Sequence, residues 1–148
     1  MNRRLRGLSL LADADHGNAA LELVILAPVM LGLVALVIAA GRTTIAQSAV
    51  NAAARDAARQ ASISLTQEEA QAAAQASAGT SLRSDGLDCV PIVGTDVSQF
   101  GTVPGHPATV TATVSCTVPL ADLALPGLPG SVRLQATFTS PLDIYRSR

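Results

Sequence analysis

The chain has no lysine and no tryptophan, and only two phenylalanines and one tyrosine in 148 residues. A domain so poor in aromatic rings must build its core from small aliphatic side chains that each bury modest area. Histidine is limited to His16 and His106, and cysteine to Cys89 and Cys116. His106, between Gly105 and Pro107, has no neighbouring carboxylate and no motif-placed nucleophile, so nothing marks a hydrolase site. His106 and the two cysteines contain no closely spaced ligand pair, which argues against zinc. No catalytic residue, metal or cofactor is therefore assigned. The formal net charge of −1 gives no reason to expect a nucleic-acid partner.

What the chain does have is an uncharged run of eighteen residues, Leu23 to Ala40. As a helix it measures about 27 Å, close to the hydrocarbon thickness of a bilayer. Arg3, Arg4 and Arg6 precede it, and the positive-inside tendency holds such a segment in the cytoplasm while the bulk of the chain is exported. Arg42, Arg55 and Arg59 on the far flank reduce that asymmetry. Three fates are open to such a segment: removal as a signal peptide, retention as an anchor, or trimming ahead of the apolar run with the helix kept. Ile38-Ala39-Ala40 is a passable signal-peptidase site, but the run exceeds most signal cores.

Gly17-Asn18-Ala19-Ala20-Leu21-Glu22 leads directly into the run, with Glu22 the fifth residue after Gly17. This layout resembles a type IV prepilin processing site. Glycine there permits close approach of extended backbone to a peptidase at the membrane face. A cut between Gly17 and Asn18 removes residues 1–17 as a leader and leaves seven basic and nine acidic residues. Glu22 either sits among headgroups or pairs with the new α-amino group at Asn18, on its own or a neighbouring chain, and so sets subunit register. Pro28 removes a backbone donor and frees the carbonyl of Val24, which predicts a kink or a melted turn that neighbouring helices can satisfy in lipid.

Arg42 to Ser62 contains neither Pro nor Gly and is rich in Ala, the strongest helix former, so the helix is expected to continue from Glu22 to Ser62, about 60 Å. Ala46, Ala49, Ala53 and Ala57 fall along one side, and Gly32, Ala35 and Ala39 add small residues within the apolar part. Small residues let backbones approach closely, either against the chain's own domain or against sister helices.

Gly17 to Arg59 as a whole resembles the amino-terminal signature of the TadE-like family, minor pseudopilins of tight-adherence pilus systems. The matching pieces are Gly17 to Glu22, Pro28 a short way into the run, Gly41-Arg42 at its end, and Ala53-Ala54-Arg55-Asp56-Ala57-Ala58-Arg59 beyond. Leu23 stands where the family usually places Phe or Tyr. The resemblance implies a membrane-inserted structural component of pilus assembly or a related secretion apparatus, not an enzyme. Its implied partners are the lipid bilayer, other pseudopilins and pilus assembly proteins, and a prepilin peptidase.

Residues 63–148 read as an exported α+β domain. Thr66-Gln67-Glu68-Glu69 has capping-box spacing and opens a second helix, with Gly79 a plausible terminator and Thr80 to Gly86 a polar connector. Val110 to Val118 and Val132 to Thr139 alternate apolar and polar residues as half-buried strands do, and Cys89 to Val93 is a shorter candidate confined by Pro91 to an edge. The fold class expected is α+β: a long membrane-spanning helix (residues 18–62) continuing into an Ala-rich stalk, packed on a small antiparallel sheet of about three strands. Cys89 and Cys116 both fall on the export side, where a disulfide is preferred over two buried thiols; closing that loop stabilises by about 3 to 4 kcal/mol in the chain-entropy model. Four leucines between Leu120 and Gly130 either fold back over the sheet as a short helical turn or form a contact surface for partner subunits. Phe100 to Pro107 reads as a turn-rich loop. Against the pilus component stands a second hypothesis, an exported binding domain held by a plain anchor or released from a signal peptide.

Overall fold

The computed structural model describes residues 9–103, 105–123 and 129–143, with side chains from residue 21 onward. Arg3, Arg4, Arg6, Leu125, Leu128 and Tyr145 lie outside the described residues. The elements run α1 (Ser9–Ile63), α2 (Gln67–Ser84), β1 (Ile92–Asp96), β2 (Thr109–Pro119), the single turn α3 (Leu120–Leu123) and β3 (Ser131–Pro141), with a 3-10 turn at Ser98–Gly101. They fall into two compact units, residues 1–38 and 39–148.

Within the second unit, β1, β2 and β3 form an antiparallel sheet in that order, and the β2–β3 ladder is eleven rungs long. Strict alternation along β2 turns Val110, Ala112, Val114, Cys116 and Val118 inward. The ladder's two ends fix its phase: the N–H of Leu142 donates to the carbonyl of Ala108 and that of Leu120 to the carbonyl of Gly130. Odd-numbered rungs are therefore the non-hydrogen-bonded pairs, where side chains come closest. There the hydroxyls of Thr111 and Thr139, and of Thr113 and Thr137, meet at 2.9 and 3.0 Å on the polar face. Each such pair contributes roughly 0.2–1 kcal/mol.

The inward face is covered by helix, as the half-apolar strands require. Ala46, Ala49, Val50, Ala53, Ala54, Ala57, Ala58 and Ala61 of α1 share one buried core with the β2 residues and with Ala70, Ala74, Ala78 and Leu82 of α2. The expected second helix is thus no loose appendage. Its inward residues recur every four positions and are fully buried, and the three-residue turn Ser64–Thr66 folds it back along α1, where the Ser81 hydroxyl donates to Asp56 Oδ2 at 3.0 Å.

The capping box forms as its spacing requires. Thr66 Oγ1 accepts from the Glu69 N–H, and Glu69 Oε2 accepts from the Thr66 N–H. Replacing Thr66 with Ala is expected to cost about 1 kcal/mol, measured as a lowered urea midpoint of the full chain in detergent with unchanged slope.

Three boundaries need correction. The second helix continues through Gly79 to Ser84, because the residue that accepts left-handed backbone is Gly86, at φ +74°. The N–H of Leu87 returns to the carbonyl of Leu82 and that of Gly86 to the carbonyl of Arg83, a Schellman closure that Gly79 has no means to make from within the helix. The first strand is Ile92–Asp96 instead of Cys89–Val93, since pairing begins only after the proline. The long helix starts at Ser9, upstream of Glu22.

The Phe100 loop gains a 3-10 turn that buries Phe100. At its entry the Ser98 N–H donates to Asp96 Oδ1 at 3.0 Å, and this bond, then that of the Ser98 hydroxyl, holds the Asp96 carboxyl below its ordinary range. A depressed carboxylate contributes stability above its unfolded pKa that is lost as pH falls through the folded value.

Candidate membrane-assembly site

The described residues of the first unit, from Ser9 onward, form one stretch of helix. From Leu21 to Ile38 thirteen large apolar side chains are exposed, Val24 and Val37 at 71% each, and no residue from Leu21 to Ala40 is buried. Covering one such side chain is worth about 1.5–3 kcal/mol. Thirteen make roughly 20–40 kcal/mol, well above the 5–15 kcal/mol that holds a typical domain together. Bare in water, this surface would dominate the energetics of the chain. α1 is accordingly the one helix among the described residues long and apolar enough to cross a membrane.

The helix is continuous through Pro28, so of the kink or melted turn expected there the melted turn does not occur. Gly32 and Gly41 have no heavy atom within 4 Å of where a Cβ would stand, so both leave room for a neighbouring backbone. Glu22 is exposed and has no side-chain partner among the described residues. It lies four residues after Asn18 in the same helix, hence on the same side and one turn away. Gly17 and Asn18 themselves are in helical backbone.

The end of the apolar run is marked by two hydroxyls. Thr43 and Thr44 both donate to the carbonyl of Ala40, at 2.8 and 3.0 Å. Their legible signal was position: they are the first side-chain hydroxyls after the run, three and four residues beyond its last carbonyl, where back-bonding is possible. Arg42 Nη1 reaches the carbonyl of Asp122 at 3.4 Å, and Gln47 Nε2 donates to the carbonyl of Gln135 at 3.1 Å. Arg55 lies 5.8 Å from the ring centre of Phe138. Contacts with two distant stretches of chain, the α3 turn and β3, therefore hold this part of α1 in the second unit.

Cys89 and Cys116 are joined, with Cα atoms 6.0 Å apart. The bond ties the segment before the short edge strand β1 to the middle of β2. Of the leucine-rich connection, Leu120–Leu123 forms the expected helical turn and Leu123 enters the core. His106 is exposed in the loop before β2.

Among the described residues there is one candidate membrane span, near the N-terminus, followed by a small α+β unit, an order consistent with a single-pass membrane protein. Residues 17–59 match the family model described as TadE-like protein, the family that the Gly17 to Arg59 signature resembles. The match covers the apolar run and most of the part of α1 that belongs to the second unit, and ends before α2 and the sheet. Neither the curated proteins nor the solved structures compared with the chain gave a match.

Proposed function

We propose that this chain is a minor pseudopilin-like structural component of a tight-adherence pilus or related secretion apparatus, and that it acts by helix packing within the cytoplasmic membrane. The observation that carries the reading is the bare apolar length of α1 inside the TadE-like segment. Such a surface is stable only against lipid or other apolar helices, and Gly32, Ala35 and Ala39 leave the close approach that helix pairs in lipid use. A structural role, with no chemistry of its own, accords with the family.

In this reading residues 1–17 are a cytoplasmic leader removed by a prepilin peptidase, residues 18–62 the membrane and stalk helix, and residues 63–148 the extracytoplasmic domain. Glu22 answers the α-amino group that cleavage creates at Asn18, and that pair sets the depth at which one helix stands beside the next. An ion pair is suited to register because breaking one partner at the membrane edge leaves an uncompensated charge.

N-terminal sequencing of the membrane-extracted protein tests the reading. Asn18 as first residue is expected, and Gly17→Leu is expected to abolish that product while leaving the chain in the membrane. Gly41 as first residue, in a soluble product, would mean a signal peptide and a released domain; an intact Met1 would mean a plain anchor.

A further inference from the structure

We infer that the end of the second unit at which α1 enters it, formed by Arg42, Val90, the α3 turn, Ser131 and Arg133, seats in the phospholipid headgroup layer. The inference rests on the reading of α1 as a membrane span and adds a second, peripheral contact to it.

Two ties set the levels along the unit. Gln47 bonds to Gln135 and Arg55 sits over Phe138, so α1 and β3 run side by side in the same direction. Going back from Gln47 to Arg42 covers about 7.5 Å of helix. Going back from Gln135 to Arg133 covers about 6.6 Å of strand. Arg42 and Arg133 thus stand at one level, two residues beyond the last residue of the apolar run. Ser131 and the adjoining α3 turn lie further toward Ala39, where the unit begins, and the bond from Arg42 to the Asp122 carbonyl places that turn independently at the same end. Val90 is brought to this end by its neighbour Cys89, whose disulfide partner Cys116 shares a rung with Leu134.

The chemistry of this end suits a headgroup layer. Val90 is the most exposed large apolar side chain described, at 88%. Leu120 is half-buried, and Ser131 and Arg133 are exposed. The guanidiniums are planar donors matched to phosphate oxygens. Arg42 spends one N–H on a carbonyl and Arg133 one on Ser115 Oγ, at 3.2 Å, which leaves each with further donors. Asp122 and Asp88 are exposed carboxylates on neighbouring chain, so attraction of bulk anionic charge is small, and the arginines act by direct hydrogen bonds to phosphate. Continuity with the span decides the occupant: these groups begin where the helix emerges, and lipid headgroups are what surrounds a helix at that point.

Because the chain has no tryptophan, single tryptophans report depth without background. The full chain is reconstituted in phosphatidylethanolamine–phosphatidylglycerol vesicles doped with lipids brominated near the glycerol end or near the methyl end of their acyl chains. Val90→Trp and Ser131→Trp, on different elements so that misfolding of one leaves the other, are expected to be quenched by the first lipid. Leu31→Trp is expected to be quenched by the second, and Ile63→Trp at the hairpin tip by neither. Replacing both Arg42 and Arg133 with Gln should lower the ratio of seated to free heads by about tenfold or more per arginine, seen as lost quenching at positions 90 and 131 with Leu31→Trp unchanged.

If Val90→Trp and Ser131→Trp stay unquenched while Leu31→Trp is quenched, the seat is refuted and the span survives. If Leu31→Trp is also unquenched, the membrane reading fails and the seat with it. Quenching that ignores the arginine replacements, or a spectral shift that appears only when a second protein is added, overturns the headgroup assignment.

Discussion

Reducing the Cys89–Cys116 bond, or replacing both cysteines with Ser, is expected to lower the stability of the head by about 3 to 4 kcal/mol in the chain-entropy model. The bond closes a loop with a sequence separation of 27 residues, and it does so at the weakest edge of the sheet. β1 has five residues, is preceded by Pro91, and contains Gly94, so it contributes little pairing of its own. The bond also fixes the segment from which Val90 projects. Chemical unfolding of the full chain in detergent, with and without reductant, measures the effect as a shift in midpoint. A midpoint indifferent to reductant would show that the core alone holds β1. The serine variant adds a separate burden at Cys116, which is 1% exposed, because a hydroxyl there needs a partner that the buried face does not offer. Its loss should therefore exceed that of simple reduction.

Enlarging an alanine where the two helices meet should be nearly as damaging. Ala57→Leu and Ala78→Leu are each expected to destabilise by roughly 1–3 kcal/mol, although leucine is more apolar and almost as good a helix former. Both residues are fully buried. Both lie in the core that α1, α2 and the sheet share, and in a close-packed interior the added carbons have to displace what already packs there. Ala72→Leu, on the exposed side of α2, serves as the control and should change stability little. The comparison separates tight packing from mere hydrophobicity, since the two accounts predict opposite signs at Ala57. Unfolding midpoints of the three variants decide it.

These expectations mark how far local sequence reading reached. The capping box at Thr66 was legible because both its bonds are made within four residues. The long strands were legible because a sheet with one covered face imposes a period of two on its side chains. The end of α2 was misplaced because Gly79 and Gly86 look alike in sequence, and only the second meets a backbone that turns left-handed. β1 was placed three residues early for a related reason. The apolar stretch Cys89 to Val93 has strand composition, but the partner decides where the ladder begins, and β2 offers its first rung opposite Ile92.

The candidate site divides in the same way. Gly17, Glu22, Pro28 and the run from Leu23 to Ala40 are contiguous, and spacing alone displays them. The bonds of Arg42 to Asp122 and of Gln47 to Gln135 join residues eighty or more positions apart, and no local pattern announces them.

By itself, then, the sequence determined that this chain carries one bilayer-length apolar helix prolonged by alanine, a second capped helix, and alternating strands. Each of these is a property of nearest neighbours: hydropathy over a helix length, propensity, and side-chain period. Only the tertiary structure decided that α2 closes on the same core as α1, that Cys89 and Cys116 are bonded, and that Arg42 meets the α3 turn. Such choices depend on which distant surfaces meet, and alanine faces, being nearly featureless, acquire their specificity only from the partner packed against them.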